Sequence, residues 1–318
     1  MKHLVAIERF CLAGHCISLI FGLAGLLLVL PNAAFIASLP ESGQRFFSLS
    51  MAGGGVVYIF LGALTVALYA YRTVGTRNWL GFMLPAIFLS LGSELLGTST
   101  GFPFGHYGYL NGLGYKIAGL VPFTIPLSWF YLGFSAYVLA RAGLESLKLN
   151  GWVIQVGAIA LGSLLLTSWD FVLDPAMSQS AYPFWQFQDV GEFFGMPYRN
   201  LTGWLGTGAL FMTVASLFWR ENEPALQRSQ LWVPLAIYLV NFLFGATITV
   251  IQLDTRFLIP TAIGVVLGVL PAVVLWWTTG NQTVTGLADT QKENSPVKAD
   301  GTEPETEVSV VPVQLASK

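Results

Sequence analysis

Residues 151–175 read GWVIQVGAIALGSLLLTSWDFVLDP, and this stretch decides the fold. No charged side chain interrupts residues 151–169. As a helix rising about 1.5 Å per residue, such a run spans a hydrocarbon core of about 30 Å. A helix also satisfies its own backbone in lipid. The run then ends in Trp169, Asp170 and Asp174. Carboxyls four residues apart share one helical face. There they repel each other and are expensive to hold beside lipid. They need a use, a partner or a proton.

The rest of the 318-residue chain agrees: 54% of its residues are hydrophobic and 10% charged, and its mean hydropathy is +0.64. Soluble domains are about a quarter charged, so the composition describes an integral membrane protein. A net charge of −2 offers no basic face for nucleic acid. Cys11 and Cys16 match no metal-ligand spacing and no disulfide framework.

Eight apolar segments are long enough to span, near 11–30, 54–71, 79–97, 118–140, 152–170, 202–219, 231–251 and 257–277. The expected fold is all-α, a polytopic membrane protein of about eight transmembrane helices. The first segment follows Lys2 and Arg9 and precedes small residues, as a signal peptide would, but the spans behind it favour a retained helix. Lys2, Arg9, Arg72, Arg77, Arg141, Lys148, Arg220 and Arg228 fall on one side of such a bundle, and Arg45, Lys116, Arg199 and Arg256 on the other. The richer side is cytoplasmic by the positive-inside rule, which places both termini there. Residues 1–280 are expected to form the catalytic membrane domain. Residues 281–318 are polar and are expected to be a disordered cytoplasmic tail.

Two inner loops on the other side, 97–116 and 171–200, are rich in Gly, Phe, Tyr and Trp rather than polar. They are expected to fold back over the bundle. Their surroundings echo each other. Pro122 comes 28 residues after Glu94, and Pro197 comes 27 after Asp170. Each proline is followed by an aromatic residue and then by a tryptophan, Trp129 or Trp204. Both prolines suit a helix start. Helices 3–4 and 5–6 of the eight are therefore read as a possible parallel repeat, an arrangement that often meets around a central site.

Glu94, Asp170 and Asp174 are the candidate catalytic acids. Glu94 lies between IFLSLGS and LLGTSTG, where a charge costs about 2–3 kcal/mol at mid-membrane depth. Carboxylates at a helix C-terminus also oppose the macrodipole. Both penalties favour the neutral acid, which can donate a proton to a substrate. Asp174 precedes Pro175 and is also compatible with a solvated turn. His106, in FPFGHYGY, reads first as a structural histidine and second as a water-orienting residue. Lys116 and Arg199 are placed to neutralise the acids or to touch headgroups. Trp129, Trp185, Trp204, Tyr107, Tyr198 and Phe104 are the candidate substrate-lining aromatics. Singly such rings anchor at interfaces; grouped near acids they stabilise a cation.

Several chemistries lack their motifs. There is no Gly-rich nucleotide loop and no histidine cluster for a di-iron centre, the chain having three histidines. DFVLD is similar to half of a prenyltransferase motif, but no second Asp-rich motif accompanies it. Acid–base chemistry on an apolar substrate is left, without metal or other cofactor, and water addition to an isolated alkene fits it.

GTSTGFPFGHYGY, LGYKIAGLVPFTIPLSW, WDFVLDP and FFGMPYRNLTGW together resemble the membrane carotenoid hydratases, over roughly residues 10–278. That family has a cyanobacterial γ-carotene 1'-hydroxylase branch, which the second motif resembles, and an archaeal bisanhydrobacterioruberin hydratase branch. The resemblance implies water addition across the C-1',2' double bond of an acyclic ψ-end of γ-carotene or a lycopene-type carotenoid. The product is a tertiary alcohol on the way to myxol-type glycosides. It implies no redox cofactor. The partners it implies are the carotenoid, membrane lipids and other enzymes of the pathway. Asp170 or Glu94 is then the expected proton donor, with Asp174, or else His106, activating water. A non-catalytic carotenoid- or lipid-binding protein and a carotenoid end-group cyclase are the alternative readings.

Overall fold

The computed structural model describes residues 1–219 and 226–280. The expected tail 281–318 and Arg220 lie outside the described residues. The helices are α1 (Lys2–Ala24), α2 (Ala33–Ser38), α3 (Glu41–Thr100), α4 (Thr124–Glu145), α5 (Gly151–Ser178), α6 (Tyr198–Ser216), α7 (Trp232–Gln252), α8 (Leu258–Gly264) and α9 (Leu270–Thr278). A π-turn extends α1, and another joins α8 to α9. Among the described residues, four short strands lie between α3 and α4 and between α5 and α6: β1 (Tyr107–Tyr109), β2 (Lys116–Ile117), β3 (Val121–Pro122) and β4 (Trp185–Phe187). Among the described residues, five helical segments are long and apolar enough to cross a membrane: Lys2–Val29, Glu41–Thr100, Gly151–Ser178, Trp232–Gln252 and Thr255–Thr278.

The 60 residues of α3, if straight, would reach about 90 Å, roughly three times a hydrocarbon core. Gly75 breaks the helix with φ +75° and ψ 168°, a conformation that suits a residue without Cβ. Tyr69 before the break and Phe82 after it both lie against Phe134, with ring centroids 6.3 and 5.2 Å away. The chain therefore folds back at Gly75. The expected segments 54–71 and 79–97 fall on its two arms. Arg72 forms a two-pronged ion pair with buried Glu8, at 2.9 and 3.0 Å, and ties the start of α1 to this corner.

α4 is the central helix. From Thr124 to Ala140 every residue except Leu127 is buried, as befits a helix apolar on all sides. It begins later than the expected 118. Ala118 and Gly119 adopt positive φ and turn the chain between β2 and β3, so Pro122 ends a strand and α4 starts at Thr124. Hydropathy alone does not separate this apolar turn from a helix start.

α5 runs past Pro175 to Ser178, which places Asp174 inside the helix and not in a turn. Pro175 removes one backbone donor, while the Ser178 hydroxyl donates to the Asp174 carbonyl at 2.6 Å. Three hydrogen bonds lock α5 to α7: Tyr238 Oη donates to Leu165 O (2.8 Å), Trp169 Nε1 to Asn241 O (3.2 Å) and Thr249 Oγ1 to Val172 O (2.9 Å). α6 starts at Tyr198 with Pro197 as its cap residue, four residues before the expected 202.

The two inner loops join. β1 pairs antiparallel with β4, with Tyr107 opposite Phe187 and Tyr109 opposite Trp185.

Candidate active site

Glu94 sits on the second arm of α3 and is 3% exposed. Gly97, one turn on, lets the loop close over it, because a Cβ there would lie 2.7 Å from the Phe104 ring. The Glu94 carboxyl accepts hydrogen bonds from three side chains. Tyr107 and Tyr109 reach Oε2 through their hydroxyls, Tyr109 at 2.9 Å, and the Trp129 indole reaches Oε1 at 2.9 Å. Burial, together with the Glu94 carboxyl, holds both phenols well above the usual tyrosine range, so they stay protonated and act as donors.

Asp170 and Asp174 face α6 from consecutive turns of α5. The Asn200 amide nitrogen bridges them, donating to Asp170 Oδ2 at 2.7 Å and to Asp174 Oδ2. Trp185, from β4, donates to Asp174 Oδ1 at 3.0 Å. Asp170 Oδ1 is buried and has no hydrogen-bond partner among the described residues. No basic side chain lies within ion-pair distance of Glu94, Asp170 or Asp174 among the described residues. Lys116 is turned elsewhere, donating to Tyr109 O at 2.6 Å.

Between the two acidic clusters lies a cavity of about 40 Å³. Glu94 and Asp174 both line it, with Asn200 and Ser128 as further polar groups. At roughly 10–15 Å³ per water, that is space for a few waters beside two carboxyls. Trp129, Trp204, Trp185, Phe104 and Tyr107 supply most of the aromatic wall. Trp129 and Trp204 stack with centroids 4.1 Å apart, and Trp169 meets Trp204 edge-on at 5.8 Å.

The structure thus brings Glu94, Asp174, Tyr107, Phe104, Trp129, Trp185 and Trp204 to one cavity, with Asp170 directly behind Asp174. It does not bring His106 or Tyr198 there. His106 is half exposed and faces Asp189, its backbone N–H donating at 2.7 Å and its ring lying 3.2 Å away. That backbone N–H holds the Asp189 carboxyl below the usual range. Tyr198 is 57% exposed and packs on Phe193. Sequence reading missed Asn200 and Tyr109. Both stand inside quoted motifs, PYRN and HYGY, but an amide or phenol in an interfacial loop carries no burial cost that singles it out.

The family model of carotenoid biosynthesis proteins matches residues 54–271, a range that contains every residue of the cavity. The chain is 29% identical over 194 residues to bisanhydrobacterioruberin hydratase of Haloarcula japonica, an alignment covering 61% of each protein. The chain therefore spans about six tenths of the length of that curated relative. No solved structure matches the chain.

Proposed function

This chain belongs to the carotenoid biosynthesis protein family, and we propose that it is a carotenoid hydratase adding water to an isolated terminal double bond. The observation that supports this most is the pairing of Glu94 and Asp174 across one small, aromatic-walled cavity. The name of the haloarchaeal relative points to the same reaction class. The proposed substrate is the acyclic ψ-end of γ-carotene or a lycopene-type carotenoid, hydrated at C-1',2' as in the route to myxol-type glycosides. The polyene is about as long as the hydrocarbon core, so one end reaches the inner-loop side from within the bilayer.

The roles follow from the donors around each acid. Glu94 receives three hydrogen bonds and no cation, an arrangement that suits a carboxylate. Asp170 and Asp174 share a single amide nitrogen, and two adjacent buried carboxyls hold one proton between them. Asp174 donates that proton to the less substituted alkene carbon. The π electrons form the new C–H bond and leave a tertiary cation at the other carbon. The walls of Trp129 and Trp204 stabilise it. A cavity water attacks the cation, and Glu94 takes the released proton, which returns to the aspartate pair through cavity water. The net change is one water added.

This assignment makes Asp174, backed by Asp170, the donor and Glu94 the base. In the same reading α3 contributes two crossings, and α4 and α6 one each, for eight in all. Both termini are cytoplasmic, and the pairs α3–α4 and α5–α6 are related repeats. Other pathway enzymes would take up the product in the membrane.

The test is expression in a bacterium accumulating lycopene or γ-carotene, with mass spectrometry of the pigments. A product heavier by one water supports the proposal. An isomer of unchanged mass and altered absorption replaces it with a cyclase.

A further inference from the structure

On α1, His15 is fully buried among apolar helices. Its Nδ1 lies 2.7 Å from the Tyr58 carbonyl, and its Nε2 lies 3.0 Å from the Asn241 amide nitrogen. Nδ1 therefore carries the proton and Nε2 accepts. Gly62 makes the space, since a Cβ there would stand 2.9 Å from the imidazole. Asn241 has its whole side chain engaged. It donates to His15 and to Ile237 O at 2.8 Å, and its Oδ1 accepts from Tyr131 at 3.0 Å. Polar side chains held this deep in a membrane protein are costly, and they mark function by default.

None of these groups lines the cavity. What they reach is its wall. The backbone carbonyl of Asn241 accepts the Trp169 indole at 3.2 Å, and Trp169 stands edge-on against Trp204 at 80°. Trp204 stacks on Trp129, whose indole donates to Glu94. One continuous path of contacts runs from α1 to the carboxyl.

We propose that the Asn241 side chain, clamped by His15 on α1 and Tyr131 on α4, fixes the α7 backbone whose carbonyl holds Trp169, and so is a positioning residue for the Trp204–Trp129 stack. The inference rests on the cavity being the reacting site, but the position of the stack is measurable without turnover. Two indoles in face-to-face contact give an exciton couplet in far-ultraviolet circular dichroism. In the full-length protein in lipid nanodiscs, Trp204→Phe assigns the couplet by abolishing it. Trp169→Phe and Asn241→Leu are expected to lose it with helical content and elution volume unchanged. Their turnover is expected to fall by about tenfold to a hundredfold at unchanged KM, the scale of a misplaced reacting group. Tyr131→Phe, which removes one hydroxyl, carries the same test if Asn241→Leu does not fold. A wild-type couplet in Trp169→Phe overturns the proposal, as does wild-type turnover with the couplet lost. If the wild type gives no hydrated pigment, the couplet decides the positioning alone, and the hydratase reading fails separately.

Discussion

The rings of Trp129 and Trp204 stack with centroids 4.1 Å apart and planes 23° from parallel. One comes from α4 and the other from α6, and each follows an inner loop whose strand pairs with the other's. The stack walls the cavity between Glu94 and Asp174. Its expected role is to face a developing cation, an interaction of about 0.5–2 kcal/mol. Trp204→Leu should therefore lower hydration about tenfold, and Trp204→Phe distinctly less. Pigment product per unit of membrane-bound enzyme measures both.

Asn200 is the sole donor to Asp170 among the described residues, and it also reaches Asp174. Asn200→Leu leaves two buried carboxyls without the amide that bridges them. Product formation should fall by about 10²–10³-fold, the range seen when a preorganised donor is removed from a reacting site. Because the unbridged pair is also costly, a lower melting temperature should accompany the loss. Rates read at matched amounts of folded protein separate the two effects.

The donors to Glu94 should grade the reaction. Glu94→Gln removes the base and is expected to abolish hydration while the protein stays in the membrane. Tyr109→Phe removes one of three donors and should cost about tenfold, one hydrogen bond to a charged group being worth about 1.5–3 kcal/mol. Equal loss in both variants would make Tyr109 more than a donor. Chromatography of pigments from the two strains gives the comparison.

His106 should be dispensable for the chemistry. It meets Asp189 at the surface, with side chains 51% and 35% exposed, where a pair contributes about 0–1 kcal/mol. His106→Ala is expected to leave hydration unchanged within about twofold, by the small effects usual for surface substitutions. A large loss would return His106 to the water-activating role that its place in the motif allowed.

Much of this site was legible in the sequence because membranes make polar residues conspicuous. Glu94, Asp170 and Asp174 stood out as acids in apolar runs, and Trp129 and Trp204 stood out through the echoed prolines. Asn200 and Tyr109 did not, since their neutral side chains suit any interfacial loop. His106 attracted notice by residue type, but its side chain points to Asp189 and solvent. The fold was legible where hydropathy alone decides it, as in α5 and α7. It was less so at residues 118–123, where a β-turn is as apolar as a helix, and at Asp174, where helix continues through Pro175.

The most direct measurement follows the oxygen. Cells making the full chain and an acyclic-ended carotenoid are grown in heavy-oxygen water under ordinary O₂, and the new pigment is analysed by mass spectrometry. The expected result is a tertiary alcohol carrying oxygen from water, absent in Glu94→Gln and Asp174→Asn. Oxygen from O₂, or unaltered hydration in both acid variants, would contradict the account.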